Sequence, residues 1–333
     1  MTVNQRLNDK EEITMFRFNH RTKRDGMYRN ASIAMVAVSL AVAFLMLPVV
    51  SAQEVKQKGF GSPEEAMKAL VEAAQAGDMK GVMAILGPEG EDILSSGDEV
   101  ADKADRERFL KRYQEKVDLV KDQDKVSVII GNDHFPFAIP IVKKGEGWVF
   151  DTKAGREEVL NRRVGRNELN AIQVCLAYVE AQREYASTDR EQDGIIQYAQ
   201  KVMSDPYRRN GLYWEVGEGE IESPLGPFIA QAAQEGYTKK GDKPIPRYGY
   251  YYRILKGQGM SAPGGAYQYV INGHMVAGFA LVAWPAEYGV SGVMTFIVNQ
   301  NGTVYQKDLG PKTGELAKAM TLYNPDRTWK RAQ

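Results

Sequence analysis

The 333-residue sequence predicts an α+β protein. Three observations lead there. Helix-spaced apolar residues with recognisable start signals occupy the region after residue 60. Short strand-like runs divided by Gly, Pro and Asn follow in both halves. Helices come before groups of strands instead of alternating with them, which is the order of an α+β layer and not of a βαβ chain.

Taken in order, the first helix opens at Ser62-Pro63-Glu64-Glu65. Ser62 caps, Pro63 suits the first helical position, and Glu65 completes a capping box. Ala66, Leu70, Ala73 and Ala74 then recur at helical spacing until Gly77-Asp78. A second helix over 79–86 stops at Gly87-Pro88, and a third is expected over 104–120 with Phe109, Tyr113 and Val117 on one face. Strands are expected at 125–130, 135–142 and 148–151, with turns at Gly131-Asn132-Asp133 and Gly145-Glu146-Gly147. Gly165 marks a boundary, and a long helix follows over 167–186. Leu169, Ile172, Leu176 and Val179 lie on one side of it, and Ala171, Val174, Cys175 and Tyr178 on the other, so most of its circumference has to be covered. Runs at 249–255, 266–271, 279–284, 294–299 and 304–309 read as strands, with Asn301-Gly302 as a hairpin turn. The expected organisation is therefore helices packed on an antiparallel sheet over 60–163, then a long helix wrapped by an antiparallel sheet over 164–333.

Ahead of both, Arg17, Arg21, Lys23, Arg24 and Arg29 precede an uncharged apolar stretch over 31–47. Val50 and Ala52 supply small residues at the −3 and −1 positions of a signal-peptidase site. A signal peptide over 1–52 and a linker over 53–59 are expected, which implies export to the periplasm or cell envelope. The alternative is an uncleaved anchor, since the run to Val50 is long enough to span a bilayer of about 30 Å as a helix. No later segment is apolar enough to do so, and after cleavage no membrane partner is expected. The 43 basic and 43 acidic residues balance, leaving no field to hold nucleic acid. The single Cys175 forms no intramolecular disulfide and reads as a buried small hydrophobe.

Three resemblances add to this. The element order over 60–163, ending in Gly147-Trp148-Val149-Phe150-Asp151, is similar to nuclear transport factor 2-like (NTF2-like) domains, which implies a cone of helices on a curved sheet. The second half resembles the globular part of type IV pilins and pseudopilins. These also set a helix first and close with a Gly-Val-x-x-Phe strand, here Gly292-Val293-Met294-Thr295-Phe296, then a turn and a last strand; no prepilin cleavage site precedes the apolar run. Over 59–333 the chain resembles a bacterial exported family known as domain of unknown function 2950 (DUF2950). The residues that carry this are Gly165-Arg166-Asn167-Glu168, Gly249-Tyr250-Tyr251-Tyr252-Arg253, Ala262-Pro263-Gly264-Gly265-Ala266-Tyr267 and Ala283-Trp284-Pro285-Ala286-Glu287-Tyr288-Gly289. That resemblance implies no activity.

Candidate sites are few. Asp189, Glu191 and Asp193 with Gly194 occupy positions 1, 3, 5 and 6 of a calcium-loop pattern, although Gln200 stands where a bidentate glutamate belongs. Calcium is the one cofactor this admits; a solvated acidic turn explains the same residues. Tyr250, Tyr251, Tyr252, Trp284 and Tyr288 are the candidate ligand-binding set, because aromatic rings gathered at a surface suit glycans or a partner protein. Strand alternation sends Tyr251 to the face opposite Tyr250 and Tyr252, so part of the set is core. No nucleophile elbow, Ser-x-x-Lys or zinc motif is present. Glu287, Asp308 and His274 are the residues through which hydrolysis of cell-wall material would run, with His274 in Asn272-Gly273-His274 also reading as a turn residue. The function expected is a non-enzymatic binding or scaffolding protein of the envelope, its partner an envelope protein or cell-wall glycan; the alternative is an envelope hydrolase.

Overall fold

The computed structural model describes residues 57–217, 219, 221–237 and 244–332. The expected signal peptide and most of the linker lie outside the described residues. An α+β fold is observed. Helices α1 (Pro63–Gln75), α2 (Met79–Leu86), the short α3 (Glu91–Leu94) and α4 (Glu99–Glu115) precede a four-stranded antiparallel meander of β1 (Val117–Asp122), β2 (Lys125–Ile130), β3 (Phe135–Lys144) and β4 (Gly147–Phe150).

The start of α1 forms as its residues dictate. Ser62 Oγ accepts from the Glu65 amide at 3.1 Å, and Glu65 Oε2 reaches back to the Gly61 amide at 3.0 Å. Its apolar stripe of Ala66, Met67, Leu70 and Ala74 is buried against Val126, Val128, Ile139, Ile141 and Phe150 of the sheet. The third helix differs from expectation at both ends: it begins at Glu99, capped by Asp98, and stops at Glu115. Residues 117–122 form β1 instead, because Val117, Leu119 and Val120 gain a full antiparallel register with β2, from Val117↔Ile130 to Asp122↔Lys125.

The largest correction concerns α5. It starts at Thr152, capped by Asp151, and runs unbroken to Tyr185, 34 residues and about 50 Å long at the α-helical rise. Gly165, read as a boundary, is an interior residue of this helix. A helical glycine costs only about 1 kcal/mol relative to alanine, and burial of the apolar Leu160, Ala171 and Val174 on either side of it, with the Asn167 hydrogen bond to the Ser291 carbonyl, outweighs that. Gly155 serves packing: a Cβ there would sit 2.6 Å from both the Ala138 carbonyl oxygen and Ile139 Cα, so only glycine lets α5 lie this close to β3.

The C-terminal part of α5 covers a second antiparallel sheet. Its order is β13 (Lys330–Arg331), β12 (Tyr305–Asp308), β11 (Met294–Asn299), β10 (Ala280–Pro285) and β5 (Tyr250–Leu255). Strand β10 is buried along its whole length, with α5 packed on it and α7 (Thr313–Ala319) also against it, which explains its run of apolar residues without alternation. Two hairpins, β6–β7 (Gly257–Gln258 with Tyr267–Gln268) and β8–β9 (Val270–Ile271 with His274–Met275), replace the single strand expected over 266–271. A helix α6 (Gly226–Gln234) was not foreseen. Of the two apolar sides read on the long helix, the one holding Ala171, Val174, Cys175 and Tyr178 faces the core; on the other, Val179 is buried and Ile172 packs against the core, whereas Leu169 is 63% and Leu176 37% exposed. Among the described residues no helix is long and apolar enough to cross a membrane.

Candidate functional site

The described chain contains a cavity of about 240 Å³ between α4, α5 and the four-stranded sheet. Its apolar wall comes from Leu70 of α1, Val82 of α2, Ile130 of β2, Phe137 and Ile139 of β3, and Val159 of α5. The helix that closes it, α4, has no fully buried residue; Phe109, Leu110 and Tyr113 are only partly covered. A polar helix lying over apolar walls leaves volume that its own side chains do not fill.

The same cavity is rimmed by arginine. On α4, Asp102, Asp105, Arg106, Phe109 and Arg112 recur at three- and four-residue spacing, with Arg108 beside them. On α5, Val159, Arg162, Arg163 and Arg166 do the same. Two helix faces thus place six arginines around one opening, with Asp102 and Asp105 the only acids in its lining.

Most of these cations are engaged. Arg108 and Arg166 share Asp105, the latter at 2.7 Å. Arg112 pairs with Asp133 at 3.0 Å and lies 4.1 Å over the Phe135 ring; Arg162 reaches Glu158 at 2.6 Å and the Pro136 carbonyl at 2.7 Å, and stacks 4.8 Å from that ring. Arg163 and Arg106 are different. Arg163, only 5% exposed, donates to the carbonyls of Asp92, at 2.6 Å, and of Ile93, and its Nε is buried without a partner. Burial pulls the Arg163 and Arg166 guanidinium groups below their ordinary proton affinity. For Arg106 the contact found is Met79 Sδ at 3.8 Å.

At the N-terminus of α4, Asp98 is buried. One carboxylate oxygen accepts from the Ala101 amide at 3.1 Å, and the other from the Gly249 amide at 2.8 Å and the Tyr237 hydroxyl at 3.0 Å. Burial raises its pKa from the ordinary aspartate value, against the pull of these hydrogen bonds. Gly249 has φ +75°, and a Cβ there would meet Asn167 Nδ2 at 2.5 Å, so the partner of Asp98 can only be glycine. The closing helix is thereby tied to the second sheet.

The residues singled out from sequence are not gathered here. Tyr250 is fully buried and donates to the Met294 carbonyl at 3.0 Å; Trp284 is 7% exposed and packs 5.8 Å from Tyr251. Tyr252 donates to the Arg247 carbonyl at 3.3 Å, and Tyr288 to Asp308 at 3.2 Å. With Tyr250 and Trp284 in the core, the five rings do not form one exposed platform. His274 contacts Gln197 at 3.2 Å and Asp193 at 3.6 Å, in a polar groove that neither Glu287 nor Asp308 lines. Asp189 turns its carboxylate onto the amides of Gln192, at 2.7 Å, and Gly194, at 2.8 Å, while Glu191 accepts from Tyr185 at 3.4 Å. Among the described residues no three His, Cys, Asp or Glu side chains are grouped to hold a metal ion. The cavity itself went unread in the sequence; its legible signal was arginine at helical spacing on two segments, 106–112 and 162–166.

A family described as "Protein of unknown function (DUF2950)" matches residues 57–332. No curated protein and no solved structure matches the chain.

Proposed function

The chain belongs to the DUF2950 family, and from that premise we propose that it is an exported, non-enzymatic binding protein of the cell envelope whose ligand occupies the cavity beneath α4. The observation that carries this is the cavity: about 240 Å³ of apolar-walled space under a helix that buries none of its own side chains completely. A cavity of about 150 Å³ already accepts benzene, so a larger ring or a short acyl chain is the matching size. Small-molecule sites are concave and mostly apolar with polar groups that fix orientation; here the walls are apolar and six arginines and two aspartates supply the polar edge. The lining offers no serine, cysteine or histidine to act as nucleophile or base. Export is supported by the basic and then apolar pattern over 17–47 and the small residues Val50 and Ala52.

Titration with the neutral fluorescent probe N-phenyl-1-naphthylamine tests the reading. A saturable rise in emission is expected, lost in Ala74→Leu, which puts a larger side chain on the cavity wall. No saturable rise, or the same rise in the filled variant, sinks it.

A further inference from the structure

We infer that the ligand of this cavity ends in a carboxylate or phosphate group, received by the guanidinium groups of Arg163 and Arg106; this rests on the reading of the cavity as a ligand site. Six arginines and two aspartates line the opening. Asp105 already serves two of the arginines, and Asp102 accepts from the amide of Ser96 at 3.0 Å and from its hydroxyl at 2.6 Å. Asp102 and Glu287 attract Arg163 from a distance, but neither makes a direct ion pair with it. Among the described residues no carboxylate lies within 4.0 Å of either the Arg163 or the Arg106 guanidinium.

Arg163 is held by two carbonyl oxygens with its Nε unpartnered, an arrangement that Arg253 shares in the second half; Arg163 differs in lining a cavity, where a ligand can reach it. Buried charges are ordinarily paired, and leaving one unpaired is strongly destabilising. Arg106 has only a thioether beside it, which is a weak acceptor. Guanidinium groups match the planar oxygens of carboxylate and the oxygens of phosphate by paired hydrogen bonds, so one anionic group serves both needs. An apolar body in the cavity and an anionic end at its arginine rim describe a short amphiphile.

Calorimetry on the purified chain with 1-octanol, octanoate and octyl phosphate separates the possibilities. At least one anion is expected to bind about tenfold or more tightly than the alcohol, as a charge-assisted hydrogen bond supplies. Which anion is favoured identifies the head group. Arg106→Gln lies on the half-exposed face of α4 and should fold; it is expected to lower that preference, read as the ratio of anion to octanol affinity in the same variant, several-fold. Arg163→Met should remove more of it, and if that variant fails to fold, Arg106→Gln alone still decides. Equal affinity for alcohol and both anions overturns the anion inference and leaves the cavity reading standing. Undiminished anion preference in the variants overturns the assignment to these arginines, and no binding of any of the three overturns both readings.

Discussion

The two sheets are filled differently, although one helix packs on both. Between α5 and the five-stranded sheet, buried rings meet one another: Tyr178 stands edge-on to Phe279 at 5.6 Å, and Tyr250 lies 5.8 Å from Phe296. Over the four-stranded sheet Phe109 and Phe137 also approach, at 5.4 Å, but beside them the space of about 240 Å³ stays open and arginine surrounds it. Close-packed interiors leave few voids larger than a water molecule. The difference teaches where to look for function: the second half stabilises through self-contained packing, and the first half holds volume for something else.

That contrast breaks most visibly under core truncation. Phe296→Ala, at a fully buried position, should cost about 3–5 kcal/mol in urea unfolding. Phe109→Ala, on the partly covered helix above the cavity, should cost about 1 kcal/mol or less. Equal losses would erase the distinction between a filled and an unfilled half.

A middling effect is expected where the halves are tied. The folded pKa of Asp98 lies above its unfolded value, so the folded state takes up that proton more readily than the unfolded state. Its contribution to stability is therefore greatest below the unfolded pKa and declines as pH rises towards the folded one. Asp98→Asn removes this dependence. The stability difference between wild type and variant should shift against the wild type as pH rises through the carboxylate range, measured by thermal unfolding at several pH values. A difference independent of pH would mean that Asp98 does not titrate across folding.

The smallest effect sharpens the comparison on the arginine rim. Asp105→Asn releases Arg108 and Arg166 from a partly exposed ion pair, and its cost in stability should stay under about 1 kcal/mol. A loss of several kcal/mol would show the rim to be a structural element of the first half.

Elements whose cause is local were legible. The capping box at Ser62 and Glu65, the strand over 294–299 and the turn at Asn301-Gly302 follow from residues next to one another. Elements decided by distant packing were not. Gly165 looks like punctuation until burial is seen to hold it inside α5, and Gly155 shows its role only once β3 is seen to approach it. Residues 117–122 carry enough polar side chains to pass as a helix end, and only their register with β2 makes them a strand. The tyrosines were legible in part: strand alternation put some of the set in the core, as Tyr250 is, but not which ones, because a ring exposed on one strand and a ring buried between two layers are the same letter. The cavity is harder still, since a void is a property of what side chains fail to reach. Arginines at helical spacing could have pointed to it, but helix faces rich in arginine are usually solvated.

Helix α5 also constrains how this chain can vary in length. Adding a residue in the turn at 301–302 lengthens a loop, a change that costs little. Adding one residue to α5 between Leu160 and Asn167 would turn everything beyond it by about 100° and advance it by about 1.5 Å. The Asn167 contact with Ser291 at 2.9 Å, and those of Glu168 with the amides of Val293 at 3.0 Å and Met294 at 2.9 Å, would then face away from the second sheet. The helix acts as a ruler with a fixed number of divisions: insertions and deletions that loops absorb are excluded along this stretch, whatever residues occupy it.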